Sequence, residues 1–571
     1  MQYGNVYLSI TMKKIFLPLF IVLSISLFAK AQSWEWAKSA GGTSPDDSGN
    51  SIATDESGNV LVTGNFRSPS ISFGSTLLTN AGANDIFTVK YNTNGNVLWA
   101  KSAGGASFDE GLGITTDHNG NVLVTGRFAS SSITFGSTML TNGDTTGTMF
   151  DIFIVKYDSI GNVLWAKSAG GTSSDQSNSI AIDDSGNVFV TGYFTSPSIT
   201  FGTTTLTMSF GSFKIFTVKY DPNGNVLWAK SSDGTNSEDA WCLGITTDGN
   251  RNVFVTGRMF SPTLIFGSDT LTSEGTSNIF TVKYDANGNV LWARSTDGTS
   301  SNAGNGITAD ISGNTYVTGS FGTPITFGAF TLTSSGGTDI FTVKYDVVGN
   351  VLWAKSAGGA YGDLGTGIAT DNNGHLYITG YYYGYFIQFG SSTIANTNSS
   401  GVYDDIFVMK YDDSGNAICA NGAGGIVNDD ALAVATDGNG NVYITGNFDS
   451  PTIAFGSTTL TNANAGSSDI FVAKLGTGTS VKENILSDEI RTFPNPFFEK
   501  LSIESKQNPI LNVEVYNEIG QKTYSLHSGG ITDPEQKSPH YELLTQNWPS
   551  GFYVLEIKTS QGMFRVKAIK L

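Results

Sequence analysis

Charge is scarce in this 571-residue chain: Asp, Glu, Lys and Arg together make up 14% of it, and there are only two cysteines, four histidines and fourteen prolines. Cys242 and Cys419, at non-equivalent points of the chain, exclude a disulfide framework, so stability has to come from packing. None of the histidines (His118, His375, His527, His540) stands beside a Cys or Ser motif, and H-E-x-x-H, G-x-S-x-G and a phosphate-cradling Gly-rich loop are all missing. Nucleophilic, zinc-hydrolase and nucleotide-dependent chemistry therefore have no sequence signature here. Positive charge is short as well. The formal net charge is -18; residues 1–31 carry +3 and residues 493–571 hold eight basic and eight acidic groups, which leaves -21 on residues 32–492. An acidic body argues against nucleic acid or an anionic membrane as partner.

Long apolar runs are confined to one place. Lys13 and Lys14 precede Ile15 to Phe28, which ends in Ala29-Lys30-Ala31. A basic start, a run shorter than the ~20 residues of a spanning helix and a small-x-small end read as a signal peptide over 1–31, with Met12 as the true start. The mature chain is expected outside the cytoplasm, with no transmembrane segment.

What the chain has in excess is glycine, 69 residues, and a pattern of about 63 residues repeated almost throughout, the mark of a repeat architecture. Its first piece is I-x-x-D, ending at Asp55, Asp117, Asp183, Asp248, Asp310, Asp371 and Asp437. N-V-x-V-T-G follows from Asn59 and its copies, then D-I-F-x-V-K around Phe87 and its copies. The fourth piece, N-V-L-W-A-K-S, is centred on Trp36, Trp99, Trp165, Trp228, Trp292, Trp353 and Cys419. Each piece occurs seven times, but the fourth opens the chain and is missing after the last third piece. A linear solenoid has no use for that offset, whereas a ring closed by its own first strand does. The expectation is an all-β chain: a seven-bladed β-propeller over 32–476, closed by the N-terminal strand. A parallel β-helix is the alternative fold.

Turns of the form T-D-E-S-G-N place Gly before the incoming strand, as a short hairpin loop needs. Where Gly is replaced in T-D-G-N-R-N, a shifted turn with positive φ at Asn250 rather than Arg251 is expected. The Trp residues are read as blade-to-blade packing. The I-x-F-G-x-x-x-L-T segments between second and third pieces are read as hairpins rising on the face of the fourth-to-first connections.

Two sets of residues carry candidate binding chemistry. Asp47, Asp109, Asp175, Asp363 and Asp429 recur five residues before the apolar position of the first piece, with Ala240 and Asn302 at the other two places; lining one channel mouth, they would make a broken carboxylate ring suited to calcium. The complete I-x-x-D set reads as turn geometry. Tyr381, Tyr382, Tyr383 and Tyr385, followed by Phe386, break the repeat and offer a stacking surface for sugars or a partner.

These repeats resemble the bacterial SBBP-type β-propeller family, which implies surface or secreted proteins. After a linker (477–492) comes F-P-N-P-F (Phe493 to Phe497), then Y-N-E-I-G (Tyr516 to Gly520), P-S-G-F-Y (Pro549 to Tyr553) and a Lys-bearing end. Residues 493–571 are similar to the type A C-terminal sorting domain of the type IX secretion system of Bacteroidetes, departing from it by an insert from His527 to His540. The resemblance implies export through that machinery, removal of the tail, and attachment to the cell surface or release. The functional expectation is a non-enzymatic scaffold binding an extracellular protein or glycan. The alternatives are a polysaccharide-active enzyme with an acidic site at the channel mouth, or a structural component of an adhesive surface layer.

Overall fold

The structure, a computed structural model, describes residues 32–477 apart from 45, 145, 209–211, 233–239, 391, 399–400 and 465, and in the C-terminal part residues 490–493, 499–505, 510–517, 522–527, 540–549, 551–559 and 562–570. The expected signal peptide, most of the expected linker, the P-N-P opening and nearly all of the insert lie outside the described residues. No helix among the described residues is long and apolar enough to cross a membrane.

Each repeat becomes a four-stranded antiparallel sheet, and seven such sheets follow one another. The first is built from Ser48–Thr54, Val60–Phe66, Asp85–Tyr91 and Val97–Ala103. Its second and third strands, VLVTGNF and DIFTVKY, are buried at every residue. Their sequences therefore do not alternate, because neighbouring sheets cover both sides. The Gly of the T-G pair has a steric cause. A bulge between Gly49 and Ser51 brings the Ser48 carbonyl so close that a Cβ at Gly64 would lie 1.9 Å from its oxygen.

The apolar core is not inside the blades but between them. The cluster around Ile52, Val60, Val62 and Phe66 takes in Tyr443, Ile470 and Val472 of the last sheet, and the cluster around Ile114, Val122 and Phe128 takes in Leu61 and Ile86 of the first. Strand Trp34–Ala40 pairs antiparallel with Asp469–Leu475 as the outer strand of the last sheet. Each blade also grips the next through polar bonds. The Trp99 indole N–H donates to the Ser159 carbonyl in the next blade's third-to-fourth turn (3.2 Å), and Trp165, Trp228, Trp292 and Trp353 reach the corresponding carbonyls of Pro222, Ala286, Val347 and Asp413. The third-strand lysine converges on the same carbonyl: Lys90 on Ser159, Lys219 on Ala286, Lys283 on Val347. The tryptophans are thus packing residues between blades.

One junction departs from this, and its departure explains Cys419. In the last blade the described chain enters at Gln32 and leaves after Gly476 where the third-to-fourth turn would be, so among the described residues no turn carbonyl stands there to accept an indole N–H. Cys419 occupies the Trp position there and lies 3.6 Å from the Gln32 side-chain oxygen. Lys410, which has no such carbonyl either, is not ion-paired among the described residues, and burial lowers its pKa.

The extra segments are hairpins, such as Ser70–Phe73 with Thr76–Thr79. They leave from the face of the fourth-to-first connections. Instead of standing up from it, they lie along the outer edge, the second hairpin strand against its own blade's fourth strand and the first against that of the preceding blade. Ile71, Phe73 and Leu78 are buried by this, which is why the segment alternates.

The Arg251 expectation is overturned. Arg251 itself takes the left-handed conformation, φ +65°, where the other repeats have Gly. Asp248 makes the usual turn, accepting from Asn250 N and Asn252 N on Oδ1 and from Arg251 N on its carbonyl; three bonds outweigh the ~1–2 kcal/mol that left-handed backbone costs a residue with a Cβ. Arg251 is exposed. Arg251→Gly is expected to raise stability by about 1 kcal/mol in urea unfolding, with no change in fold.

The C-terminal part forms two sheets. Ile490–Phe493, Lys500–Ser505 and His540–Leu544 make one; Lys522–His527, Ile510–Asn517, Gly551–Thr559 and Gly562–Lys570 make the other. Leu501, Ile503 and Leu543 of the first meet Val513, Val515, Leu555 and Ile557 of the second. The first of these strands begins at Ile490, inside the expected linker. In the P-S-G-F-Y motif the Tyr553 hydroxyl donates to the Pro549 carbonyl (2.8 Å) while its ring packs on Trp548.

Candidate binding face

The five aspartates of the expected cation ring are each turned into the protein. All are fully buried; four are held by N–H and O–H donors, while Asp363 has a backbone N–H donor on one oxygen and leaves Oδ1 without a partner among the described residues. Asp109 accepts from Ser130 N, Ser130 Oγ and Gly105 N, and Asp175 from Thr195 N, Ser196 N and Ser196 Oγ. Asp47 and Asp429 have equivalent bonds to Ser68 and Ser450, and Asp363 accepts from Gly359 N. Donors crowding a carboxylate leave it poorly suited to a cation, and no group of three or more His, Cys, Asp or Glu that could hold a metal is found among the described residues. The expected calcium ring thus gives way to loop-capping carboxyls. The I-x-x-D aspartates are turn residues, as read: Asp55 Oδ1 accepts from Ser57 N and Asn59 N, and Oδ2 from Asn59 Nδ2.

The two gaps in the aspartate set have a partner-dependent cause. Each of these carboxyls feels a third-strand aspartate of the preceding blade: Asp109 that of Asp85, Asp175 of Asp151, Asp363 of Asp339, Asp429 of Asp405. Where the first-strand residue is Asn302, the third-strand residue is Asn278, and Asn302 Nδ2 donates to Asn278 Oδ1 at 3.0 Å. Where it is Ala240, the third-strand residue is Lys214. The junctions therefore hold two acids, two amides, or a lysine opposite alanine.

Burial raises the pKa of these acids, to about 6 for Asp85, Asp109, Asp175 and Asp469 and to about 8 for Asp363 and Asp429. A carboxyl with a raised native pKa binds more protons folded than unfolded, so its contribution is full at low pH and is lost as pH rises through the native value. Asp55 and Asp117 act oppositely. Hydrogen bonds from Asn59 and Asn121 and the Lys90 and Lys156 ammonium groups outweigh burial and lower their pKa; their contribution is lost as pH falls below the ordinary carboxylate range. The urea midpoint is expected to be highest near pH ~5 and to fall steadily to pH ~8. A midpoint flat across that interval would contradict it.

With packing residues nearly identical between blades, variation gathers at the end of the inner strands on one face. The cross-strand pairs there are Ser48 with Asn65, Glu110 with Arg127, Gln176 with Tyr193, Trp241 with Arg258, Ala303 with Ser320, Leu364 with Tyr381 and Asp430 with Asn447. No two are alike, although Val-Thr-Gly or Ile-Thr-Gly precedes the second member every time.

On the side of the last two blades the pairs make an acidic tyrosine cluster. Tyr383, Asp404 and Asp430 face one another there: burial and the nearby Asp404 carboxyl raise the pKa of Tyr383, and burial and the same carboxyl raise that of Asp430. Of the tyrosines expected as ligand contacts, Tyr381 and Tyr383 are half-buried beside this pair, Tyr385 is 58% exposed, and Tyr382 is fully buried among Ile378, Phe389 and Phe407. Tyr382 is thus a core residue and not a ligand contact, because its side chain points to the opposite side of the strand from Tyr381.

On the other side lies a cluster that was not singled out from the sequence. Tyr193 stacks on Trp241 (centroids 5.7 Å apart, planes 20° apart), Phe213 and Phe260 meet Trp241 edge-on, and the Arg258 guanidinium lies over the Trp241 ring at 4.0 Å. The available signal was Trp241 standing where no other repeat has an aromatic residue. Between the two clusters, a cleft of about 350 Å³ is lined by Asn65, Asn84, Phe108, Glu110, Asn447 and Ser468. Three further hollows of about 310–320 Å³ repeat at equivalent outer-edge residues, such as Phe201, Tyr220 and Val226; they follow from the repeat itself.

The sheets and the repeat define a β-propeller protein. Residues 35–65 and 164–193 match the model of the beta-propeller repeat (SBBP), and residues 491–570 match that of the secretion system C-terminal sorting domain. The chain therefore carries SBBP-type propeller repeats and a type IX sorting tail, which indicates secretion or attachment at the outer-membrane surface. It is 26% identical over 509 residues to an uncharacterized WD repeat-containing protein of Acanthamoeba polyphaga mimivirus, covering 74% of this chain and 36% of that protein. It is 28% identical over 111 residues to the regulatory protein FlaEY of Caulobacter vibrioides, 19% of this chain and 12% of that one. The chain thus spans well under half the length of either curated relative. Among solved structures, the Neurospora crassa Pan2 WD40 domain aligns over 75% of this chain and 89% of its own at 8% identity, with a TM-score of 0.38.

Proposed function

We propose that the protein is a non-enzymatic binding scaffold, its propeller spanning residues 32–476, which recognises an extracellular glycan or protein through the face described above. The observation that carries this reading is the confinement of variation: seven unlike side-chain pairs stand at one edge of otherwise near-identical blades. A rigid disc presenting varied groups on one face is how repeat scaffolds bind. The signal peptide over 1–31 and loss of the tail after export complete the proposal.

Burial weighs against the polysaccharide-active alternative. Asp47, Asp109, Asp175, Asp363 and Asp429, the carboxyls expected at the channel mouth, are fully buried, whereas the carboxyl pair of a glycosidase has to flank the scissile bond. The test is a glycan array and a surface-protein pull-down with the full chain, run beside Tyr383→Ala and Arg127→Ala. Binding lost in either variant supports the reading. Signals identical in all three proteins, or turnover of a polysaccharide abolished by Asp430→Asn, would sink it.

A further inference from the structure

Arg127 and Arg258 occupy the same position of different blades, and their surroundings differ in one respect. Arg127 pairs with Glu110 directly across the strand and bonds Gln176. Arg258 has Trp241 across the strand instead. Among the described residues it has no carboxylate and no hydrogen-bond acceptor, and its Nε is buried without a partner, as is the Trp241 indole N–H. The guanidinium lies 4.0 Å from the Trp241 ring centroid and 5.1 Å from that of Phe260, and burial lowers its pKa. A half-buried cation in a propeller carrying about twenty excess negative charges has carboxylates in plenty available to it, yet among the described residues none is placed beside it. Cation–π contact is worth only about 0.5–2 kcal/mol and leaves the planar N–H edge unused, while that edge is suited to bidentate capture of an oxyanion.

The neighbourhood says what body carries the oxyanion. A continuous chain of contacts leads away from Arg258: Trp241 stacks on Tyr193, the Tyr193 hydroxyl donates to Gln176, Gln176 accepts from Arg127, and Arg127 pairs with Glu110. Glu110 lines the 350 Å³ cleft together with Asp46 and Asp47, and the remaining walls are mostly amides and hydroxyls. Aromatic edges followed by planar amides and carboxylates are groups that meet the C–H faces and vicinal hydroxyls of sugars. We infer that Arg258 and its aromatic surround form the anion-binding end of a glycan site, taking a sugar that bears a carboxylate or sulfate group, with neutral parts of the chain running toward the Glu110 cleft. The inference rests on the proposed binding face and names its ligand class.

The test is calorimetric titration of the full chain at low salt with pentagalacturonic acid, its methyl ester and sulfated dextran, for the natural protein, Arg258→Gln and Arg258→Lys. The expected result is binding of the uronate or the sulfated sugar, at least ten-fold weaker in Arg258→Gln, partly retained in Arg258→Lys and absent for the ester. The arm that binds identifies the oxyanion. Without sugar, Arg258→Gln should melt within a degree or two of the natural protein, since only the ring contact of about 0.5–2 kcal/mol is lost. Equal affinity in Arg258→Gln, an ester that binds like the acid, no binding of either anionic sugar, or a melting loss of several degrees in the variant would overturn the inference. If a ligand found on the array is lost in Tyr383→Ala but not in Arg258→Gln, this inference falls and the binding face stands; if it survives all variants of the face, the broader reading falls.

Discussion

A chain lacking residues 32–40 is expected to lose the cooperative unfolding transition of the propeller. Strand Trp34–Ala40 supplies the outer ladder for Asp469–Leu475, and its Trp36 indole bonds the Thr93 carbonyl of the first blade (3.1 Å). Without it the last blade has an open edge and the first has lost its grip on the last. Transplanting the strand should restore the ring. Residues 33–40 placed after Leu475, through a copy of the turn Asp221-Pro222-Asn223-Gly224-Asn225, complete the last blade from the other end. That permutation creates the one third-to-fourth turn the natural chain lacks, so the effect of Cys419→Trp should change sign. In the permuted protein the new indole gains a carbonyl and an apolar neighbour, stabilising by about 1–2 kcal/mol. In the natural chain it has no acceptor and must displace Gln32. Denaturant unfolding of the five proteins checks both points; a truncated chain that unfolds with the natural midpoint would show that closure does not hold the ring.

Asp117→Ala is expected to cost about 3–5 kcal/mol, because it leaves Lys156 buried without its counter-charge. Asp117 Oδ2 and Lys156 Nζ are 2.9 Å apart and each side chain is 6% exposed; Asp117 also accepts from Asn119 N, Asn121 N and Asn121 Nδ2. Asp158→Ala provides the control. Asp158 makes the same three turn bonds, to Ile160 N, Asn162 N and Asn162 Nδ2, but at the surface and with no lysine, so its loss should cost only about 1 kcal/mol. The difference between the two variants in urea unfolding isolates the buried pair. Equal costs would place the whole effect in the turn.

The repeat was legible because blade packing constrains residues locally. A turn needs Asp and Gly at fixed offsets, a doubly covered strand needs Val and Phe throughout, and both recur with the period. The missing fourth piece at the end and its presence at the start were equally legible, since they are matters of count. The aspartate set shows where such reading stops. Asp109 looks like one member of a ring when repeats are laid over each other, but its partner is Asp85, 24 residues earlier on another blade, and only that pairing accounts for Asn302 with Asn278 and Ala240 with Lys214. Arg251 departed from expectation for a related reason: the bonds to Asp248 hold the whole loop, and their sum decides a backbone angle that one residue's preference opposes.

By itself, then, the sequence determined the architecture, the sorting tail and the number of repeats, because each is written in short-range patterns and in their tally. Only the tertiary structure decided which side chains face outward and what they face. It buried Asp47, Asp109, Asp175, Asp363, Asp429 and Tyr382, and brought Tyr193, Trp241 and Arg258 together from two blades. Burial and charge pairing between blades depend on contacts across the ring, and no period within a repeat records them.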